Sequence, residues 1–148
     1  ATGVSPSFKL PRAWLGDSLD FSFSGLKTAV LHKAQALGVY PAPDGGPAPA
    51  LAAEIAAAFQ DSVVDVIATK AIAAVERYGA KGLVLGGGVS ANGPLREACR
   101  RAPVPVIIPA PKLCTDNGSM IGAAGYYRFI RGVSHTMALD ATPSLALG

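Results

Sequence analysis

Three glycines, Gly86-Gly87-Gly88, separate the apolar run Gly82-Leu83-Val84-Leu85 from the polar segment Val89-Ser90-Ala91-Asn92. Glycines let a ligand approach the backbone. A helix start just beyond them presents free N–H groups and the positive end of its dipole. A strand–glycine–helix junction of this kind can receive a phosphate. It is not a P-loop, because no Gly-Lys-Ser/Thr follows. It is not the dinucleotide fingerprint either: counted from Gly86, the third glycine would fall on Ala91. The same triplet also makes a tight turn that lets a helix pack on a strand, and the residues alone leave the two readings level.

Two polar residues stand near helix starts. Asn92 can bind a ligand through its amide or cap a helix, and capping is the commoner fate. Asp116 can ligate a metal or complement a helix dipole, and on local grounds the second is favoured. A complete metal site is not evident. His32 and His135 are the only histidines, and neither has a His-x-x-x-His or His-x-x-Glu spacing. No Ser-His-Asp set can be argued, since Ser22, Ser24, Ser90 and Ser119 all have turn or capping explanations.

The elements that must position these residues follow from periodicity and punctuation. Residues 1–23 hold Pro6, Pro11 and Gly16 and read as loop, with a short strand where Phe21 and Phe23 alternate with serines. A helix is expected over 26–37, capped by Ser24 and stopped by Gly38. Residues 40–49, with four prolines and two glycines, form an exposed loop. From 51 to 78 the chain reads as one long helix or two in series. Ile55, Phe59, Val63 and Val66 share one face, and Glu54, Asp61, Asp65 and Glu76 another. Lys70 projects onto the apolar face, where a snorkelling stem is the expectation and a buried functional lysine the minor alternative.

After Gly79, residues 82–85 read as a buried strand of a mostly parallel sheet. Pro94 must lie in a first turn, so Asn92 is the best N-cap of a helix running to about Arg101. A second short strand spans 104–109, with prolines that suit strand ends or an edge. A last helix, capped by Thr115 or Asp116, reaches Ile130, and 132–148 is irregular. The order is an α/β chain rich in helix, whose few strands call for partner strands from elsewhere.

Composition bounds the function. The 148 residues suit a single domain, 1–148, and are 50% hydrophobic and 16% charged, which excludes a disordered chain. Thirteen Lys+Arg against ten Asp+Glu give +3, scattered along the chain, so charge alone does not mark a nucleic-acid binder. Cys99 and Cys114 form no CxxC and read as reduced thiols of a cytoplasmic protein. The opening Ala1-Thr2-Gly3-Val4-Ser5 lacks the basic and apolar regions of a signal peptide, and its missing Met suggests a processed chain or part of a longer one. Polar residues from Glu54 to Lys70 interrupt the longest apolar stretch, so no membrane partner is expected.

Three stretches together carry a resemblance: Leu19-Asp20-Phe21-Ser22-Phe23-Ser24-Gly25-Leu26-Lys27-Thr28, Leu83-Val84-Leu85-Gly86-Gly87-Gly88-Val89-Ser90-Ala91-Asn92, and Leu113-Cys114-Thr115-Asp116-Asn117-Gly118-Ser119-Met120-Ile121. In this order and spacing they closely resemble the TsaD/Gcp family, which makes the threonylcarbamoyl-adenosine modification of tRNA and carries an older glycoprotease label.

The resemblance implies an actin-like ATPase (ASKHA) fold, shared by sugar kinases, heat-shock chaperones and actin. This chain corresponds to the helix-rich second, C-terminal lobe of a longer two-lobe protein. It implies transfer of threonylcarbamoyl from threonylcarbamoyl-AMP to N6 of adenine 37 in tRNAs reading codons that begin with A, with the isolated lobe inactive. By the same resemblance Asn92 contacts the nucleotide or adenylate, Gly87 and Gly88 approach it, and Asp116 is a ligand of one iron or zinc ion. The family's His-x-x-x-His lies in the first half and is missing here, as is its first phosphate loop. The implied partners are tRNA, the adenylate or ATP, the absent N-terminal lobe and accessory proteins of the pathway, in the cytoplasm. Two rivals stand beside this reading: a metal-dependent glycoprotein endopeptidase, following the older label, and a non-catalytic module binding nucleotide or a partner.

Overall fold

The computed structural model describes residues 5–138 and residue 140. The chain divides into two compact units, Ala1–Cys114 and Thr115–Gly148. The first mixes helices with a small parallel sheet and is of the α/β kind.

Its spine is α2, Pro49–Tyr78, a single helix of 30 residues and about 45 Å at the usual rise per residue. Pro49 belongs to its first turn, where a missing N–H costs nothing, so the helix starts inside the expected loop. Gly79 closes it in a left-handed conformation, φ 57°, that favours glycine. Small residues Ala57, Ala58, Ser62 and Ala68 are buried along α2, so neighbouring segments pack close to its backbone.

One side of α2 carries α1, Ser24–Ala36, and the segment before it. Leu10 and Leu26 bury against Ala58, with Phe8, Phe23, Val30 and Val63 packed around them. The expected cap of α1 is not Ser24. That residue is already helical, the cap position is Phe23, and no side chain caps it. The Ser24 N–H is instead satisfied by Ser22 Oγ at 3.4 Å. Phe21 forms only an isolated antiparallel bridge with Trp14 and no strand.

Residues 7–18 run alongside α2 in the same direction as the helix. The Ser7 N–H donates to Glu54 Oε1, Arg12 bonds Ser62 Oγ and Asp65 Oδ2, and the Lys70 ammonium donates to the carbonyls of Gly16 and Ser18. Lys70 therefore does not snorkel. It is 9% exposed, and its charge is spent on two backbone carbonyls beside the Trp14 ring.

The opposite side of α2 carries α3, Gly93–Cys99, and the sheet. Ala68, Leu95, Ala98 and Cys99 form a core, lined by Val64, Ile67, Leu83, Leu85 and Val106. Strands β1, Leu83–Val84, and β2, Val106–Ile107, pair in parallel, with Leu83 opposite Val106 and Val84 opposite Ile107. Pro105 and Pro109 bracket β2, where neither costs a ladder bond. The sheet is not buried on both faces as expected. Leu83 and Val106 face the core, while Val84 and Ile107 are 69% and 64% exposed.

The second unit contains α4, Gly118–Phe129, capped by Asn117, whose Oδ1 accepts from the Met120 N–H at 3.1 Å. The cap thus falls beyond both Thr115 and Asp116. Residues 133–138 form neither helix nor strand; the rest of the expected irregular tail, and the opening residues 1–4, lie outside the described residues. No helix among the described residues is long and apolar enough to cross a membrane.

Candidate functional site

The first unit has a cleft of about 710 Å³ between α1, α2 and the glycine loop. Phe23 and Lys27 reach it from the start of α1. Phe59, Gln60, Val63 and Ile67 line it from α2, and Gly88, Val89 and Asn92 close it from the loop. Most of the wall is apolar, and among the described residues Lys27 is the one charged residue on it. A largely apolar cleft with a few convergent polar groups is the usual form of a small-molecule site.

The loop geometry explains the glycine triplet. Gly87 has φ 80° and ψ 168°, a region open essentially to glycine alone. It turns the chain out of β1 into a 3-10 turn over Gly88–Ala91, which the Ser90 N–H and Oγ lock by donating to the Gly87 carbonyl at 3.0 and 2.7 Å. A Cβ added at Gly88 would meet nothing within 4 Å, so the space beside it is open for a ligand. Gly88 lines the cleft, whereas Gly87 shapes the loop from behind.

Asn92 caps α3, as its place before Pro94 implies. Its Oδ1 accepts from the Leu95 N–H at 3.0 Å. Its Nδ2 donates to Gln60 Oε1, also at 3.0 Å. The amide is fixed in orientation and retains one N–H on the cleft wall. Capping and ligand contact are compatible in this geometry.

Lys27 and Gln60 are absent from the residues that motif reasoning singled out as ligands. Lys27 lies inside the quoted Ser24-Gly25-Leu26-Lys27 stretch, so its charge was a visible signal. Gln60 gave none, because only the fold brings it to Asn92 across 32 residues.

Asp116 belongs to the second unit and is exposed. Since Asn117 caps α4, the Asp116 carboxylate is not consumed by capping. No group of three or more His, Cys, Asp or Glu that could hold a metal comes together among the described residues. One exposed carboxylate does not make a metal site, so the residues of this chain do not by themselves fit the implied iron or zinc. His32 is exposed on α1, and His135 contacts Arg128 at 3.4 Å. Cys99 is buried on α3, and loss of hydration raises its thiol pKa, which keeps it an unreactive core side chain at neutral pH.

A family model described as TsaD, tRNA N6-adenosine threonylcarbamoyltransferase, matches residues 1–123. The chain is 46% identical to a protein of that name from Thermomicrobium roseum, over 95% of this chain and 42% of the relative. It is 46% identical to the namesake from Bacillus cereus strain ATCC 14579, over 95% of this chain and 41% of the relative. For Symbiobacterium thermophilum the figures are 45%, 99% and 42%. The chain therefore spans about two fifths of the length of these curated relatives. On the match over residues 1–123 and these identities, the chain belongs to the TsaD family of tRNA N6-adenosine threonylcarbamoyltransferases.

Proposed function

We propose that this chain is the second, C-terminal lobe of a cytoplasmic threonylcarbamoyl transferase with an actin-like ATPase fold, inactive without its first lobe. The observation that carries the reading is the 46% identity over 95% of the chain to relatives more than twice its length. In the complete protein, N6 of adenine 37 of an ANN-decoding tRNA attacks the carbamoyl carbon of threonylcarbamoyl-AMP. A nitrogen–carbon bond forms, the carbon–oxygen bond to the phosphate breaks, N6 loses a proton and AMP leaves.

The residues of this lobe bind and orient the adenylate. Gly88 leaves room for it against the backbone, and Asn92 offers the N–H left over from its bond to Gln60. Lys27 faces the anionic end, and the apolar wall packs against the body of the ligand. Asp116 contributes one carboxylate to a metal whose remaining ligands lie outside this chain. The modest charge of +3 leaves most of the tRNA contact to the first lobe and accessory proteins.

The intact mass of the native gene product tests the lobe assignment, with a value more than twice 15.0 kDa expected, in line with the length of the relatives. The site is tested in the complete polypeptide by Asn92→Ala and Asp116→Ala, with modified tRNA quantified by nucleoside mass spectrometry. Each should lower turnover at least tenfold or so. Wild-type rates in both variants would sink the site, and modification by the isolated chain would sink its inactivity.

A further inference from the structure

Among the described residues, Arg96 has no carboxylate partner. Arg96 lies on α3, three residues before Cys99, and its guanidinium is partly buried. The two ion pairs among the described residues are Arg12–Asp65 and Arg100–Glu97, and Arg96 is in neither. Its donors go to three neutral acceptors instead. Nε donates to the Ser90 carbonyl at 2.6 Å, and Nη2 donates to the Pro109 carbonyl at 2.7 Å and contacts Cys114 Sγ at 3.1 Å.

Those acceptors come from two separate stretches of chain. Ser90 sits in the turn that follows β1, and Pro109 and Cys114 sit in the stretch that follows β2. The strands are parallel neighbours, so both connections leave from the same edge of the sheet. That is the edge where open α/β sheets receive ligands. The two-residue strands pair through a short ladder, and Arg96 adds bonds to both of their connections. The Arg96 N–H makes the ordinary first-turn bond of α3 to the Asn92 carbonyl at 3.1 Å. The held turn is the one locked by Ser90 onto Gly87, and its far wall carries Gly88 and Asn92.

We propose that Arg96 is a positioning residue. It fixes the glycine turn against the stretch after β2, so that Gly88 and Asn92 stand ready for the adenylate. The inference rests on the transferase reading for the identity of the ligand. A planar, permanently charged fork with several donors is what the task requires. A lysine carries the charge but is a compact point donor on a flexible stem, and cannot span the three acceptors.

The test uses the complete polypeptide with Arg96→Met and Arg96→Lys, and AMP as the probe. Calorimetric affinity, KM and kcat for the transfer, and thermal midpoints are measured together. Arg96→Met should weaken AMP binding by roughly tenfold or more, the scale of losing bonds to a charged group. Its KM should rise more than its kcat falls. Arg96→Lys should recover only a small part of the affinity while recovering most of the thermal midpoint.

If both variants melt earlier but their folded fraction binds AMP as wild type does, Arg96 is merely structural and the proposal is overturned. If Arg96→Met does not fold, Arg96→Lys decides alone, and wild-type AMP affinity in it overturns the proposal. A wild-type protein that binds no AMP would overturn the transferase reading as well, which separates the two failures.

Discussion

The two sides of α2 are held by different physics. On one side α3 and the sheet meet the helix through an apolar core of Ala68, Leu95, Ala98 and Cys99. On the other, residues 7–18 have no regular structure: an apolar cluster of Leu10, Leu26 and Ala58 is joined by polar side chains of α2 that bond backbone groups of Ser7, Leu10, Gly16 and Ser18. The apolar side is non-directional and tolerates small shifts, so it can carry a cleft and a loop that meets ligand. The polar side is directional: Glu54, Ser62 and Lys70 each engage one or two particular groups along the strap. Both sides bury an apolar cluster, and the strap side adds directional bonds that fix the local order of residues 7–18.

The sharpest way to break this contrast is Leu95→Ala, which removes the centre of the α3 core. Leu95 is 3% exposed, and the loss should be about 2–5 kcal/mol in urea unfolding. Lys70→Met should cost less, about 1.5–3 kcal/mol, because it removes charged hydrogen bonds but keeps an apolar stem. Hydrogen exchange should show the change concentrated around Gly16 and Ser18. Equal losses in the two variants, or exchange spread over the whole unit, would mean that the strap is as integral as the core.

The glycine loop sharpens the comparison further, because Gly87 and Gly88 do different things. Gly87→Ala forces a Cβ onto φ 80°, ψ 168° and should cost about 1–3 kcal/mol. Gly88→Ala meets only open space and should leave stability within about 0.5 kcal/mol of wild type. It should nonetheless weaken AMP binding in the complete polypeptide. A stability loss at Gly88 equal to that at Gly87 would show that the open space is not reserved for a ligand.

What the sequence revealed divides along the same line. Pro94 pins the start of α3 to within a residue or two, so the Asn92 cap was legible, and Gly79 ends α2 for the same local reason. The α1 cap was not legible. Ser24 has the right chemistry, but Ser22 Oγ already accepts its N–H and the chain is helical one residue earlier than a cap at Ser24 requires. Asp116 and Asn117 are both capping types, and only the backbone decides that Asn117 caps. Lys70 looked like a snorkelling residue because a helix pattern does not show that an unstructured strap will bring carbonyls to its ammonium. Arg96 and Gln60 act across 6 to 32 residues of chain, a distance that no spacing rule covers. The cleft joins a legible motif to illegible tertiary partners.

The smallest expected effect lies at the beginning of the strap. The Ser7 N–H donates to Glu54 Oε1 at 2.6 Å. Hydrogen bonds from Ser7, and secondarily the charge of Lys33, hold the Glu54 carboxyl below the usual carboxylate range against a small opposing effect of burial. A depressed folded-state pKa means that the unfolded chain takes up its proton first as the pH falls. The contribution of Glu54 is therefore complete above its unfolded pKa and is lost as the pH drops through the folded value. Acid titration of the thermal midpoint should fall slightly more steeply in wild type than in Glu54→Gln below about pH 4.5, the region of the unfolded glutamate pKa. Above that pH the curves should run parallel. Glu54 is exposed to solvent screening, so the difference should be small beside those at Leu95 and Lys70. Parallel curves throughout would remove Glu54 from the set of directional contacts and leave Ser62 and Lys70 as the residues of α2 that hold the strap, with Arg12 reaching back from it.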